Sequence, residues 1–434
     1  METAIDFGAC LAHCDFDYVP EGLARKYRDY VQDDSAVLIS REFLSALYAR
    51  YQVPERTQRM IEEGIEAIEQ DSVLFAFTKF LVADMSTARN RCDDDFYTNM
   101  SPGCLGVLRD RYSFLLLLAC VPPSLRMLEA RGVPGAYYEE IPHQFLKGQL
   151  EQIAERDDFS VHDFSWKMNF YTCAIFLLDR FSFIPHRFGD PFTMYRHRTT
   201  QAVTALRHAG GSFRRDGQQD GINGVFDADG AFHSIWREDE DAVTANRINP
   251  LGFVEREPIA LAKREWEPVL QPGDFMLALH VPSGPGYTPE RLKSSMTMAV
   301  AFYERYFPEL DIKGFWSESW LYDSRLSLVL DAEKSNIVRV QRQMYTYPVQ
   351  EGDGMLRLEV FGDRSADPIG ARQETSLQKA IAEYMSTGAR FNTLGMVVLK
   401  KDVGRIGEMP YIRAMDFAKF EQTVDGHLKG RRQA

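Results

Sequence analysis

The chain has 434 residues, 45% hydrophobic and 26% charged, an ordinary globular balance with enough length for more than one domain. Its formal net charge of −13 leaves no surplus of Lys and Arg to release counterions from phosphates, which excludes a general nucleic-acid binder. The six cysteines are scattered without a CxxC pair, acids stand where a secretory leader would carry bases, and no apolar run approaches the ~20 residues of a bilayer span; a cytoplasmic protein with reduced thiols and no membrane association is expected.

The first part reads as helical. "REFLSALYARY" and "RTQRMIEEGIEAIEQDSVLFAFTKFLVADM" repeat apolar residues at helical spacing. "FLLLLACV" (Phe114 to Val121) is expected to be a buried helix ending at Pro122-Pro123, and "HQFLKGQLEQIAER" a further helix. Almost nothing before about residue 160 alternates with period two. Beyond it, "TALRHAGGSFRRDGQQDGINGVFDADGAFHSIW" has the glycine turns and short alternating stretches of antiparallel hairpins. "REWEPVL" then reads as a short helix, "GDFMLALHVP" as a strand and "TPERLKSSMTMAVAFYERYF" as a helix. "DIKGFWSESWLYD" reads as a strand running into a turn, and "NIVRVQRQMYTYPV" and "MLRLEVFG" as further strands. "TSLQKAIAEYMSTG" is a capped helix ending at Gly388, and "RFNTLGMVVLK" a strand. The pattern predicts an α+β protein: an all-helical domain over 1–160, a domain with a central, largely antiparallel mixed sheet flanked by helices over 161–400, and a polar surface tail over 401–434.

The junction "LALHVPSGPGYTPERLK" carries the most chemistry. An unbroken apolar strand meets a turn with Gly284 and Gly286, and Thr288-Pro289-Glu290 starts a helix with a hydroxyl cap, a Pro at the first position and an acid in the first turn. Unpaired amides at a helix start sit at the positive end of its dipole, so an anion can bind there, and glycines permit close approach. Junctions of this kind also occur without any ligand.

"LALHVPSGPGYTPERLKSSMTMAVAFYERYFPEL", "GFWSESWLYD", "SNIVRVQRQM" and "TSLQKAIAEYMSTGARF" together resemble the C-terminal domain of bacterial acyltransferase-domain proteins, in which a helical N-terminal acyltransferase domain precedes a GNAT-like domain. "FLLDRFSF" resembles the start of that second domain. The similarity spans roughly Val37 to Lys400 and is most specific from Leu277 to Met344. It implies acyl transfer from a coenzyme A thioester, with acetyl-CoA or a longer acyl-CoA as donor and no metal. The chain departs from the usual pyrophosphate signature: "QQDGIN" and "RHAGGS" come near it in letters, but neither is expected to follow a strand and open a helix. The Gly284 turn is the candidate in the right context, with Val281, Ser283, Gly284, Gly286, Tyr287 and Thr288 as donor-binding residues, although Pro285 lacks an N–H.

Acyl transfer to an amine needs a base, donors for the thioester carbonyl and an acid for the leaving thiolate. GNAT-like enzymes place these groups where the two central strands splay. His280 ends the first strand and is a candidate base or a structural imidazole. Glu318 is a second base candidate if it faces the cleft, and a solvated acid if it faces out. Tyr322 is a candidate acid for the thiolate or a packing residue. Ser317, Ser319, Asn336 and Arg339 are candidate substrate contacts, Arg339 being equally suited to a salt bridge. Asp323 is expected to cap the segment after it. Cys10, His13 and Cys14 are too close and isolated for zinc, Asp93 to Asp95 reads as a solvated loop, and no GxSxG or HExxH motif appears.

Two functions of different class remain: acyl transfer from a coenzyme A thioester to a small-molecule acceptor, an amine in the first instance, and a non-catalytic GNAT-like protein that binds a ligand or a partner. A third reading replaces coenzyme A by another activated carboxylate.

Overall fold

A computed structural model describes residues 6–30, 37–87 and 97–431. Its contacts divide the chain into two units, Met1–Leu177 and Leu178–Ala434. Asp93 to Asp95 lie outside the described residues.

The first unit is helical. In the helix Glu55–Gln70, Ile61, Ile65 and Ile68 recur at spacings of four and three and are buried, while acids fill the other face. The helix Tyr112–Ala130 does not end at Pro122-Pro123; both prolines lie inside it. A proline inside a helix costs about 3 kcal/mol. Tyr112 to Val121 are buried without a break, and at about 0.8 kcal/mol per buried CH₂ that run offsets the penalty. The unit extends past residue 160 because the helix Phe164–Tyr171 sends Phe164, Met168 and Tyr171 into the same core. No helix among the described residues is long and apolar enough to cross a membrane.

The second unit is built on two sheets, giving the α+β class expected from the sequence. The strands of the first that lie wholly in this unit are β1 (Phe181–Arg187), β2 (Phe275–His280), β3 (Ile312–Ser319), β4 (Tyr345–Pro348) and β5 (Leu394–Leu399), in spatial order β1-β2-β3-β5-β4, with the short strand Phe176–Leu178 at the β1 edge. All neighbouring pairs among β1 to β5 are antiparallel except β2 and β3, which are joined by the crossover helix Pro289–Tyr306. The second sheet orders Trp266–Leu270, Phe192–His197, Val203–Arg207, Ala242–Asn249 and Trp236–Glu238, with Phe253–Ala262 also paired to Ala242–Asn249. Between the sheets lies a core that includes Phe192, Ile248, Met276, Tyr345, Tyr347 and Val397. The Tyr345 hydroxyl crosses it, donating to the Ile248 carbonyl and accepting from the Ala205 amide.

Four local expectations are corrected. "REWEPVL" is an edge strand, which tolerates Pro268 at an irregularity in its pairing, rather than a helix. "NIVRVQ" and "MLRLEVF" are helices (Asn336–Gln341 and Gly354–Phe361), not strands. Their short apolar runs fit either period, and packing decides: Leu356 joins a core with Trp320, Ile381 and Phe391. The segment after Asp323 is a 3₁₀ helix, Ser324–Leu328, whose Arg325 amide Asp323 does cap. The stretch from residue 401 is no surface tail. Tyr411, Ile412 and Phe420 are buried, and the Arg247 guanidinium bonds Glu255 on the strand Phe253–Ala262 and Asp416 on the helix Ala414–Arg431, both at 2.7 Å. Asp416 is fully buried, so Asp416→Ala leaves a buried guanidinium short of a partner. A loss of about 3–5 kcal/mol is expected, read as a fall in Tm, with earlier proteolysis after residue 413.

Candidate functional site

The site begins where two strands stop pairing. The parallel pairing of β2 and β3 runs from Phe275 and Ile312 to Ala278 and Trp316 and stops. On the outer sides pairing continues: β2 remains bonded to β1 as far as His280, and β3 to β5 as far as Ser319. Beyond Ala278 and Trp316 the two central strands therefore diverge into a wedge. The pleat puts His280 on the same face as Trp316 and Glu318, and Leu279 on the same face as Ser317. The second of these faces carries the crossover helix, whose Tyr303 hydroxyl donates to the Phe183 carbonyl on β1.

On the helix face, the turn after β2 is held from behind by Arg180. Its guanidinium donates to the carbonyls of Pro282 at 2.7 Å, Gly284 at 2.8 Å and Pro285 at 2.7 Å. Gly284 and Gly286 have φ of 107° and 100°, a region closed to most side chains, and a Cβ on Gly286 would also press on Arg180 at 3.3 Å. With three carbonyls gathered on one cation, the amides of Ser283, Gly284, Gly286 and Tyr287 form no hydrogen bond among the described residues. They precede a helix in which the Thr288 hydroxyl accepts from the Arg291 amide. Amides without partners at a helix start, with a guanidinium behind their turn, have the geometry that suits an anion.

Two phenols close the wedge on this side. The hydroxyls of Tyr287 and Tyr322 are buried, and neither has a hydrogen-bond partner. Burial, opposed in part by the nearby Ser317 hydroxyl, which does not reach hydrogen-bond geometry, raises the Tyr322 phenol to about 12. Burial, and then Tyr322, hold Tyr287 well above its ordinary value. Buried hydroxyls without partners are uncommon.

The opposite face is polar and walled by aromatics. Trp316 stacks on His186 with centroids 4.1 Å apart, and its Nε1 donates to Asp190 Oδ2 at 2.9 Å and to the Tyr347 hydroxyl at 2.7 Å. Tyr347 in turn donates to the same Asp190 oxygen at 2.6 Å. Gly395 makes this possible: a Cβ there would lie 2.2 Å from the Tyr347 ring, which crosses the sheet through the space a side chain would take. Burial holds the Asp190 carboxyl above its ordinary value against those two hydrogen bonds. Burial also lowers His186 to about 4, and burial and His186 lower His280 to about 4, so both imidazoles are neutral at pH 7. Next to this cluster opens a cleft of about 510 Å³, with Asp190, Arg207, Gln219, Glu318 and Glu351 among its lining residues. Glu318 is accessible at the cleft wall yet enclosed by protein on most sides. That enclosure, then the Asp190 and Glu351 carboxylates, raise it to about 7.

Residues 162–397 match the family described as GNAT-like C-terminal domain, and residues 42–173 the N-acyltransferase N-terminal domain. The chain belongs to the GNAT-like C-terminal domain family. Solved structures similar to it include an acyltransferase in complex with decanoyl-CoA, at 16% identity, over 91% of this chain and 99% of that one, with a TM-score of 0.48. Acyltransferase complexes with decanoyl-CoA and teicoplanin, at 18% identity and a TM-score of 0.47, and with CoA and 10C-teicoplanin, at 17% and 0.48, have the same coverages. No curated protein is matched by the sequence.

This GNAT-like domain sorts the residues singled out from sequence into three groups. Val281, Ser283, Gly284, Gly286, Tyr287 and Thr288 form the turn, and Tyr322 and Ser317 stand with it on the helix face. Glu318 lines the cleft, and His280, on the same face, is not among the cleft's lining residues. The others are not brought to the site: Ser319 caps the turn that follows it by accepting from the Leu321 amide at 3.2 Å, and Asn336 opens a helix. Arg339 bonds Glu290 at 3.1 Å. Neither near-signature opens a fitting helix: "RHAGGS" leads into the short strand Ser212–Phe213, and "QQDGIN" into a single 3₁₀ turn. Among the described residues no three His, Cys, Asp or Glu side chains converge as a metal site. His13 instead meets Asp71 at 2.8 Å. Sequence reading passed over Arg180, Asp190, Arg207, Trp316 and Tyr347. Arg180, Arg207, Trp316 and Tyr347 lay inside the quoted segments "FLLDRFSF", "RHAGGS", "GFWSESWLYD" and "NIVRVQRQMYTYPV" without being singled out, and Asp190 lay in none.

Two expectations follow. Gly395→Ala drives a methyl group into the Tyr347 ring, so it is expected to lower Tm and to change the fluorescence of Trp316 as its hydrogen bond to Tyr347 is lost. Glu318 binds its proton more tightly folded than at its ordinary value of 4.5, so between about 4.5 and 7 the folded state holds more protons than the unfolded one. Stability therefore falls across that window as pH rises, and Glu318→Gln is expected to be the more stable protein above pH 7, with the difference shrinking to nothing near pH 4. Denaturation curves showing a gap that does not vary with pH would contradict this.

Proposed function

We propose that the protein is an acyl-CoA-dependent acyltransferase that acylates an amine on a small molecule. The observation that carries this reading is the wedge between β2 and β3, with an anion cradle on one face and a titratable carboxylate on the other. The unpaired backbone edges past Ala278 and Trp316 suit an extended pantetheine arm, which can hydrogen-bond there as a short strand would. The free amides from Ser283 to Tyr287, backed by Arg180, suit the diphosphate. A longer acyl chain on the donor is compatible with the same path.

In the reaction the acceptor nitrogen attacks the thioester carbonyl. The C–N bond forms, the C–S bond breaks, Glu318 takes the nitrogen's proton, and the Tyr322 hydroxyl gives its proton to the departing thiolate. Glu318 suits the base role better than His280, because a base works best when its pKa lies near the working pH, about 7 against about 4. Tyr322 is fully buried, and a phenol there stays protonated until a thiolate forms beside it.

Release of free thiol from acetyl-, octanoyl- and decanoyl-CoA across a panel of primary amines tests the reading. Amine-dependent release is expected, with kcat/KM rising with pH to a plateau above about 7, since the carboxylate is the active form. Glu318→Gln should lower kcat by about 10²–10⁴-fold and remove that limb. Arg180→Met should raise KM for acyl-CoA with kcat little changed, because it loosens the cradle and not the chemistry. Calorimetric binding of acyl-CoA with no turnover of any amine would favour the non-catalytic reading.

A further inference from the structure

We propose that the acceptor is an amino-carboxylate, a molecule carrying both an amine and a carboxylate, and that Arg207 is the residue that selects it. The inference rests on the acyl-transfer reading above, in which Glu318 takes the acceptor's proton, and places the acceptor in the 510 Å³ cleft that Glu318 lines. Arg207 ends the strand Val203–Arg207, is 6% exposed, and reaches the cleft wall. Its guanidinium lies 5.5 Å over the Phe213 ring, its Nε has no hydrogen-bond partner, and its side chain makes no ion pair or hydrogen bond with any described residue.

Buried guanidiniums elsewhere in this unit behave differently. Arg196 bonds Asp402 at 2.7 Å, Arg214 bonds Asp216 at 3.1 Å, and Arg247 bonds Glu255 and Asp416. An isolated buried charge is costly, and proteins retain one where a ligand completes it. The Asp190 carboxylate, whose Oδ2 accepts from Trp316 and Tyr347, acts on Arg207 through its charge but forms no ion pair or hydrogen bond with it, so the N–H donors of the guanidinium are left unfilled. A planar fork of N–H donors facing an open cleft matches a carboxylate in two parallel hydrogen bonds. The other charges of the cleft are Asp190, Glu318 and Glu351, which favour a cationic amine and repel a dianionic phosphate more than a monoanionic carboxylate. One cation and several acids in one cleft thus match an ammonium and a carboxylate on one molecule, with the ammonium next to the proposed base.

The test compares amino acids with their amides and with the corresponding decarboxylated amines, in the wild-type protein and in Arg207→Met, by kcat and KM with acyl-CoA saturating. The wild-type protein is expected to prefer the acid by at least about 100-fold in kcat/KM, since a buried donor set rejects a ligand that leaves it unpaired. Arg207→Met should abolish that preference through KM, leave kcat within a few fold, and leave the decarboxylated amines unaffected. Equal use of acid and amide by the wild-type protein, or an unchanged preference in the variant, overturns the proposal. Calorimetry of the free amino acids, without donor, separates it from the acyl-transfer reading. Binding that is lost in Arg207→Met, with no turnover of any amine, would support the carboxylate site while counting against acyl transfer. No binding and no turnover from folded protein would overturn the site as well. Should Arg207→Met not fold, Arg207→Lys, which keeps the charge without the fork, is expected to weaken the acid about 10-fold relative to the amide, and parity with wild type would overturn the proposal.

Discussion

A backbone amide or carbonyl that leaves a sheet must find another partner, reach water or await a ligand. Between β2 and β3 that condition is imposed by geometry. Each strand stays bonded on its outer side, β2 to His280 and β3 to Ser319, while the bonds between them end at Ala278 and Trp316. The two outer pairings pull the central strands apart, and every other feature of the candidate site is arranged around the opening. The crossover helix begins on one side of it, the cleft opens on the other, and both buried phenols stand at its edge.

The second sheet gives the cleft its rigidity. It packs on β4 and β5 through Tyr345 and Tyr347, so the floor of the cleft is part of the hydrophobic core rather than a loop. The Asp190, Trp316 and Tyr347 triangle is held by bonds of 2.6–2.9 Å and lies over a glycine. The same Asp190 carboxylate reaches both charges of the cleft: it favours the Arg207 cation, with which it forms no ion pair, and it adds to the enclosure that raises Glu318.

The sequence made the scaffold of the site legible. The apolar run Phe275–His280 read as a buried strand, and Thr288-Pro289-Glu290 fixed the helix start, because caps and apolar runs bounded by turn residues are local signals. The period of two sets Glu318 on the face opposite Ser317, but whether that face met the cleft or solvent stayed open until the structure placed Glu318 in the cleft wall. What stayed illegible depends on contacts distant in sequence. Arg180 is 102 residues from the carbonyl of Pro282, and Tyr347 is 157 from Asp190. Gly395 reads as a weak strand residue until the ring that needs its space is known. Short apolar segments such as "NIVRVQ" and "MLRLEVF" carry both periods, and the polar look of the stretch after residue 401 hid the buried Asp416 that joins it to Arg247.

Arg180 has one more effect. It precedes β1 and grips the turn that follows β2, so one side chain ties the open end of an antiparallel pair to its own start. A glycine turn with no such tie would sample many shapes and lose that freedom whenever something bound to it. Here the loss is incurred once, during folding, and a ligand meets a surface already in its final form. Differences in affinity among ligands at this turn should then appear in how long they stay rather than in how fast they arrive.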